Sequence, residues 1–372
     1  MKERIIEGFD WRLIIVMAAI TMMGILSLYS ITYAENSGGS MPLYVKQILW
    51  ALIGFSFFLL ILFVDYHELG RFAYVYYFCL IVLLLLVLVI GKTVNGSKRW
   101  ISLGLFSFQP SEAARFVVVI VVARYLSGRK KEAGYNLKDL LVPSLLAIIP
   151  TILILKQPDL GTALGLIFPV TTMIIISGLR ARRFALVFLM SLMTFPFLWE
   201  VFWRSLKGYQ RERIITYIDP NADPLGMGYQ VLQSKIAIGS GGVFGKGLFG
   251  GKQSQLNFLP SGHTDFIFAV FAEEWGFVGV ALLLVLYLII IMIGIDIAYR
   301  ARDGFGMMLA SGILSMFAFY TIVNIGMTLG ILPVVGVPLP LMSYGGTAMI
   351  TTMVFLGLLL NIKMRTSVLF DY

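Results

Sequence analysis

Long apolar runs recur along the whole of this sequence, and they constrain its fold more than any other feature. Runs of about 18 residues or more suit a bilayer core of about 30 Å. Hydrophobic residues make up 59% of the chain and charged residues 13%, against roughly 45–50% and about a quarter in ordinary soluble domains. A soluble fold of 372 residues could not bury that much apolar surface, so the chain needs lipid as its solvent.

The spacing of these runs predicts an all-α integral membrane protein with about ten transmembrane helices, in a single domain over residues 1–372. The predicted spans are 11–31, 44–64, 73–91, 110–126, 140–156, 160–177, 184–203, 264–294, 306–329 and 346–362. The first run is longer than a signal-peptide core, so we predict that it is retained as a span. The one cysteine, Cys79, lies within an apolar run, which excludes a disulfide framework.

The distribution of Lys and Arg predicts the orientation. With the N-terminus inside, the inner segments carry sixteen Lys and Arg residues and the short outer loops carry five. Since positive charge concentrates on the cytoplasmic side, both termini are predicted to be cytoplasmic. The net charge of +9 resides in short loops and not in a basic soluble domain. It therefore indicates contact with anionic lipid and not with nucleic acid.

One loop, residues 204–263, is far longer than the others and is predicted to be extracytoplasmic. It mixes aromatic, charged and glycine residues, so we expect short helices on the membrane surface. Gly245–Gly250 fits the pattern G-x-G-x-x-G, but no strand precedes it, which argues against a dinucleotide site. The seven glycines between Gly239 and Gly251 predict a flexible, closely packed loop.

Charged residues near the outer ends of the spans are the first functional candidates, because ionisable groups at membrane depth are costly. Glu112 and Arg115 are three residues apart, so they share a helix face and can pair, which serves either stability or substrate binding. Asp159 lies in a predicted tight turn, where a carboxylate either caps the next helix or holds a divalent cation, Mg²⁺ or Mn²⁺. Nothing indicates an organic cofactor.

Asp265 lies where the long loop meets the eighth predicted span. A carboxylate at such a border either caps the helix or, when partly desolvated, acts as a base. Glu273 and Glu274 follow deeper in the same span and are expected to face protein or water. His263 has no second His or Cys nearby, so we expect it to hydrogen-bond within the loop and not to bind zinc.

Residues 330–346 follow the ninth span and contain three prolines and four glycines, which exclude a regular helix. Irregular backbone is tolerated at membrane depth only where it packs on protein or lines a cavity. This segment is therefore a candidate wall for a groove that accommodates a lipid-linked substrate.

Three motifs in this order resemble those of the SEDS family of peptidoglycan polymerases: Gln157–Thr162, Phe258–Glu274 and Leu332–Gly346. The resemblance extends over residues 11–362. Within the family, Gln233–Gly242, Gln253–Gln255 and Gly336–Pro340 resemble the elongation branch, the RodA type, more than the division branch. Two positions depart from the family pattern: Arg115 stands where Lys is common, and Ser261-Gly262 where an acid often precedes the His-Thr-Asp run.

The resemblance implies a ten-helix fold in the bacterial inner membrane that polymerises lipid II into glycan strands on the outer leaflet. It implies partnership with a class B penicillin-binding protein and with other membrane proteins of the elongation complex. It implies that Asp265 is the catalytic residue. The expected substrate-binding residues are Arg99, Trp100, Gln109, Glu112, Arg115, Asp159, Lys235, His263, Thr264 and Ser343.

Two other functions fit the sequence less well. A lipid II flippase would place ionisable groups near the bilayer midplane and often shows two related halves, whereas here the polar groups gather at the outer ends and no repeat is visible. A non-enzymatic scaffold that only positions the penicillin-binding protein is the third possibility, and a polymerisation assay separates it from an enzyme.

Overall fold

The computed structural model describes residues 9–34, 41–94, 97–103, 106–128, 137–178, 208–219, 223, 226–256 and 258–367. Nine of the ten predicted spans fall on helices of this part, and predicted span 184–203 lies outside it. The described helices are α1 (Trp11–Ala34), α2 (Leu43–Phe63), α3 (Tyr66–Arg71), α4 (Ala73–Ile90), α5 (Pro110–Ser127), α6 (Leu137–Lys156), α7 (Leu160–Ile176), α8 (Gly208–Ile218), α9 (Met227–Ser240), α10 (Lys252–Gln255), α11 (Ile267–Arg300), α12 (Gly304–Thr328) and α13 (Gly346–Ser367). The strands are β1 (Lys92–Val94), β2 (Ser97–Leu103) and β3 (Phe106–Phe108).

Seven helices of the described part are long and apolar enough to cross a membrane: α1, α2, α4, α6, α11, α12 and α13. Helix α7 is apolar but has only 17 residues, and α5 is interrupted by charged residues. Large apolar side chains such as Leu60, Phe63 and Phe78 are exposed on the outside of the bundle. Lipid is the solvent that accepts such a surface, so the chain is a multi-pass membrane protein, as predicted.

Helices α12 and α13 form the centre of the bundle. About two-thirds of the apolar stretch of α12 is buried within the bundle, whereas only 17% of that of α2, at the periphery, is buried. Helix α12 packs against α5, α7 and α11, and small residues allow the close approach: Gly312 faces Val119 and Met173, and Gly165 of α7 faces the ring of Tyr320.

Helix α11 is broken near its N-terminal end and is held there by an earlier loop. Gly276 has φ +62° and ψ −163°, which interrupts the intrahelical hydrogen bonds. The loop Gly241–Gly251, which we call the glycine hairpin, supplies the missing partners: Lys246 N donates to Glu273 O at 3.1 Å and Gly247 N to Glu274 O at 3.0 Å. On the other side of the break, Phe277 N donates to Gly242 O at 2.9 Å. The predicted close packing of this loop is confirmed.

The two deep acids of α11 are buried in this junction, as expected. Glu273 accepts a hydrogen bond from Lys246 Nζ at 2.7 Å, and Glu274 accepts one from the hydroxyl of Ser30 on α1. Ser30 in turn accepts from Phe249 N at 3.2 Å. The acids therefore fasten the glycine hairpin to α1 and α11.

The segment between α4 and α5 was predicted only as an outer loop, and it forms a three-stranded antiparallel sheet instead. Lys92 pairs with Trp100 across β1 and β2, and Ile101 pairs with Phe108 across β2 and β3. The prediction missed the dipeptide Asn95-Gly96, which is a strong hairpin signal.

The alternating helix directions give the bundle two ends. The end that carries the described residues of 91–110, 156–160, 208–266 and 329–346 is called the site end here, and the other is the opposite end. At the opposite end, Lys363 pairs with Asp10 at 2.6 Å and Arg365 with Asp65 at 3.0 Å, which ties α13 to the segments that flank α1 and α2. Burial alone would raise the pKa of Asp10, but hydrogen bonds from Lys363 and Arg12 outweigh it and hold that pKa below its usual value.

Candidate active site

The predicted irregular segment, residues 330–346, crosses the site end without regular secondary structure up to the start of α13 at Gly346, and we call it the wall segment. Ser343 fixes its fold: the Oγ accepts from Leu339 N at 2.7 Å and donates to Thr264 O at 2.7 Å. Gln47 of α2 donates to Ser343 O at 2.9 Å. Ser343 was predicted to bind substrate, and in the structure its buried hydroxyl joins the wall segment to the turn that carries Asp265.

That turn is fastened to the wall segment at two further points. Tyr344 N donates to His263 O at 2.9 Å, and the two rings meet edge to face at 6.1 Å. Asn324 of α12, which is fully buried, donates through Nδ2 to Asp265 O at 2.9 Å and to Val337 O at 2.7 Å. The backbone of residues 263–265 is therefore held in one position.

Asp265 lies in the turn before α11 and not within the helix. Helix α11 begins at Ile267, three residues later than the predicted start at 264, and its N-cap residue Phe266 makes no side-chain cap. The N-cap position of α11 is therefore Phe266 and not Asp265. Asp265 is half-buried and lies at the site end.

Arg213 of α8 approaches the Asp265 carboxylate at one point of the wall segment, Gly336. A Cβ on Gly336 would lie 3.5 Å from Asp265 Oδ2 and 3.7 and 3.9 Å from the two terminal nitrogens of Arg213. Gly336 has φ +73°, a conformation that favours glycine. The carboxylate and the guanidinium thus face the same small space, which a side chain would narrow.

A groove with two cations opens beside this point, and we call it the cationic groove. Its empty volume is about 340 Å³, and its lining includes Arg213, Thr216, Tyr217, Lys235, Gly330 and Pro333. The predicted binding residue Lys235 projects from α9 and packs on Gly330, where a Cβ would lie 2.6 Å from the ammonium nitrogen. Two hydrogen bonds fasten the groove to the bundle: Tyr217 Oη to Ile331 O at 2.8 Å, and Ser234 Oγ to Thr328 O at 2.7 Å.

A second cavity lies at the other stretch of the wall segment. Its empty volume is about 420 Å³, and its lining includes Arg115, Tyr320, Pro338, Leu341, Ser343 and Phe355. Arg115 forms the predicted ion pair with Glu112, and its guanidinium lies 4.1 Å from the centre of the Tyr320 ring. Glu112 and Arg115 are both about 6% exposed, so each charge depends on the other for compensation.

Asp159 caps α7, one of the two roles predicted for it. Its Oδ1 accepts from Thr162 N at 3.2 Å, and its Oδ2 accepts from Gln109 Nε2 at 3.2 Å and Ser111 Oγ at 3.3 Å. Donors therefore contact both oxygens. Among the described residues, no group of three or more His, Cys, Asp or Glu is placed to hold a metal ion. The divalent cation stays a prediction, and no step of the mechanism depends on it.

The remaining predicted residues differ in how near they lie to Asp265. His263 and Thr264 share its turn, and Thr264 Oγ1 donates to Ser261 O at 3.4 Å. The cap of α7 approaches from the far side of the wall segment, because Gly161 packs on the carbonyl oxygens of Val335 and Gly336.

The sheet contributes the last two candidates. Trp100 is half-buried on β2, whereas the side chain of Arg99 lies outside the described residues.

Two residues at the centre of the site were not predicted. Asn324 is a polar residue within an apolar span, so the argument applied to charged residues at membrane depth would have found it. Arg213 lies in the long loop, where no periodic pattern distinguishes it from its charged neighbours Arg211 and Glu212.

Comparison with known proteins now identifies the family. The profile of the FtsW/RodA/SpoVE cell cycle proteins matches residues 10–368. This chain belongs to that family. The resemblance inferred from the three motifs is therefore confirmed.

Curated relatives are peptidoglycan glycosyltransferases. The chain is 45% identical over 296 residues to the peptidoglycan glycosyltransferase MrdB of Escherichia coli K12, a match that covers 80% of this chain and 78% of MrdB. It is 34% identical to the peptidoglycan glycosyltransferase RodA of Treponema pallidum, over 98% of this chain and all of that protein.

A solved structure supports the same fold. A chain from a peptidoglycan synthase complex, described as coordinating polymerization and crosslinking, superposes with a TM-score of 0.78 at 36% identity. The match covers 96% of this chain and 98% of that one. The fold of this FtsW/RodA/SpoVE family member is thus that of a multi-pass helical component of such complexes.

Proposed function

We propose that this peptidoglycan glycosyltransferase polymerises lipid II into β-1,4-linked glycan strands during cell elongation, at the outer face of the bacterial inner membrane. Both termini then lie in the cytoplasm and the site end faces outward, as the distribution of Lys and Arg predicts. The observation that carries the proposal is the half-buried Asp265 carboxylate, held by its backbone and adjoining a groove that presents Arg213 and Lys235.

The reaction joins two lipid-linked sugars with inversion. The growing strand is the donor, through the anomeric carbon of its terminal MurNAc, and lipid II is the acceptor, through its GlcNAc 4-hydroxyl. Asp265 takes the hydroxyl proton while the oxygen forms a bond to the anomeric carbon. The bond from that carbon to the pyrophosphate breaks on the opposite face, and its electron pair leaves with the lipid pyrophosphate.

The site favours this reaction in two physical ways. A sugar hydroxyl is a poor nucleophile near neutral pH, so a positioned base accelerates its attack by about 10²–10⁴-fold. Cations near the leaving group stabilise the charge that develops on it, and Arg99, Arg115 and Lys235 are the predicted candidates.

The proposed partner is a class B penicillin-binding protein, together with other membrane proteins of the elongation complex. A glycan strand needs cross-linking after it is polymerised, and the superposable chain comes from a complex that coordinates polymerization and crosslinking. A flippase remains the alternative, and no feature of the described site favours it.

The test is an Asp265→Asn variant supplied with purified lipid II and the partner. Asn keeps the shape of the side chain but cannot take the proton, so we expect the turnover rate to fall by about 10²–10⁴-fold. The matched control is Asp296→Asn, an exposed carboxylate that pairs with Arg300 far along the same helix. Full polymerisation by a folded Asp265→Asn variant would remove Asp265 from the base role, and a wild-type protein that moves lipid II without joining it would favour the flippase.

A further inference from the structure

The cationic groove presents two positive charges from two different helices. Arg213 projects from α8 and Lys235 from α9, and both line the same groove of about 340 Å³. No Asp or Glu is among its described lining residues, and no described carboxylate pairs with Lys235. Asp265 faces Arg213 across Gly336, at the edge of the groove. A lining of this kind suits an anion of more than one negative charge.

Arg115, the buried cation of the second cavity, has a carboxylate partner of its own. Arg115 is paired with Glu112 and lies on the face of Tyr320, with about 6% of its surface exposed. An anion would have to compete with that carboxylate for the guanidinium, and separating a buried pair leaves the acid uncompensated. Arg115 is therefore a poorer site for a new negative charge than Lys235, with which no described carboxylate pairs.

The position of Arg213 relates the groove to the proposed base. Its two terminal nitrogens and Asp265 Oδ2 all lie within 4 Å of the point where a Gly336 Cβ would stand. An anion held by Arg213 in the groove is thus adjacent to the place where the acceptor hydroxyl gives up its proton. In a displacement reaction, the leaving group and the base are separated only by the reacting sugar atoms.

We propose that the cationic groove binds the pyrophosphate of the donor, with Arg213 as a further catalytic residue and Lys235 as the second cation. This inference rests on the proposed function. The planar guanidinium of Arg213 suits two phosphate oxygens at once, and the ammonium of Lys235 acts as a point charge. As the bond between the anomeric carbon and the pyrophosphate oxygen breaks, both cations stabilise the electron pair that the pyrophosphate retains.

The test compares Arg213→Gln with Arg211→Gln, a matched control on the same helix whose side chain is not among the groove's lining residues. Both variants lose one positive charge, so a general effect of charge on the anionic membrane would be equal in the two. We expect the turnover number of Arg213→Gln on lipid II to fall by about 10²-fold or more, and that of Arg211→Gln to stay within about twofold of wild type. Arg213→Lys keeps a charge without the planar fork and should recover part of the loss.

Product inhibition gives a readout that a structural role would not change. Polyprenyl pyrophosphate and polyprenyl monophosphate are added to the polymerisation reaction as separate probes. Wild type should be inhibited more strongly by the pyrophosphate, and Arg213→Gln and Lys235→Gln should each lose that difference. If both variants keep the wild-type preference, the groove assignment is wrong. If Arg213→Gln does not fold, Lys235→Gln alone decides between these outcomes.

The two proposals fail in different ways. A wild-type protein that makes no glycan from lipid II with its partner would overturn the proposed function itself. A wild-type protein that polymerises normally, with variants that retain the pyrophosphate preference, would overturn only the assignment of the groove.

Discussion

Two glycines of the glycine hairpin give a sharp test of how the broken helix α11 is held together. Gly245 and Gly247 have nearly the same backbone conformation, with φ of +79° and +81°. Replacing either with Ala therefore costs about the same in left-handed backbone strain, roughly 1 kcal/mol. Their surroundings differ: a Cβ on Gly247 meets nothing within 4 Å, whereas one on Gly245 collides with the carbonyl of Glu274 and lies 2.7 Å from Gly276 N.

The collision determines how much stability Gly245→Ala is expected to lose. Relieving it requires the hairpin to move away from α11, which breaks the bonds from Lys246 N to Glu273 O and from Gly247 N to Glu274 O. Leaving a buried carbonyl without a partner costs about 1–3 kcal/mol. Gly245→Ala should therefore destabilise the protein by about 2–6 kcal/mol more than Gly247→Ala.

Thermal unfolding of the two purified variants in one detergent measures this difference directly. We expect Gly247→Ala to melt slightly below wild type and Gly245→Ala to melt far below it or to fail to accumulate. Equal losses in the two variants would mean that the hairpin bonds do not support the break at Gly276. The strain at positive φ would then explain both results.

Two further predictions concern the clamp at the site and the ion pairs at the opposite end. Asn324→Leu should lower the turnover number on lipid II by about 10²-fold, because displacing the base by about an ångström costs that much in rate. The control Thr321→Val loses only an intrahelical hydrogen bond and should keep the wild-type turnover number. Equal activities of the two variants would contradict a positioning role for Asn324. The pKa of Asp10 is held below its unfolded value mainly by Lys363, so its stabilisation is present above about pH 4 and is lost as the pH falls through the folded value. Asp10→Asn should flatten the dependence of the melting temperature on acid pH, and an unchanged slope would exclude this origin.

The transmembrane helices could be predicted because their signal is local. A run such as residues 73–91 is apolar on every face, and length alone matches it to a bilayer. The break in α11 has no such signal, since a single glycine at position 276 is ordinary in a membrane helix. It depends on backbone donors from the glycine hairpin, about thirty residues earlier in the chain. Only the folded structure brings the two together.

The residues of the site also differ in whether the sequence alone could predict them. Asp265 could be predicted from its place at the border of a polar loop and an apolar span, and Glu112 with Arg115 from helical spacing. Arg213 could not be predicted, because its role depends on where α8 lies relative to Gly336. For Ser343 the sequence indicated the segment but not the bond that its hydroxyl makes to Thr264 O, in the turn of Asp265.

The wall segment explains why an irregular chain is needed at this position. Its first part, Gly330–Val334, lines the cationic groove, and its later part, Pro338–Leu341, lines the cavity of Arg115. Gly336 lies between them, against Asp265. A reaction between two membrane-anchored sugars needs two routes that meet at one carboxylate. A regular helix would present side chains all round and close the gap at Gly336, whereas the prolines prevent that helix and the glycine keeps the meeting point open.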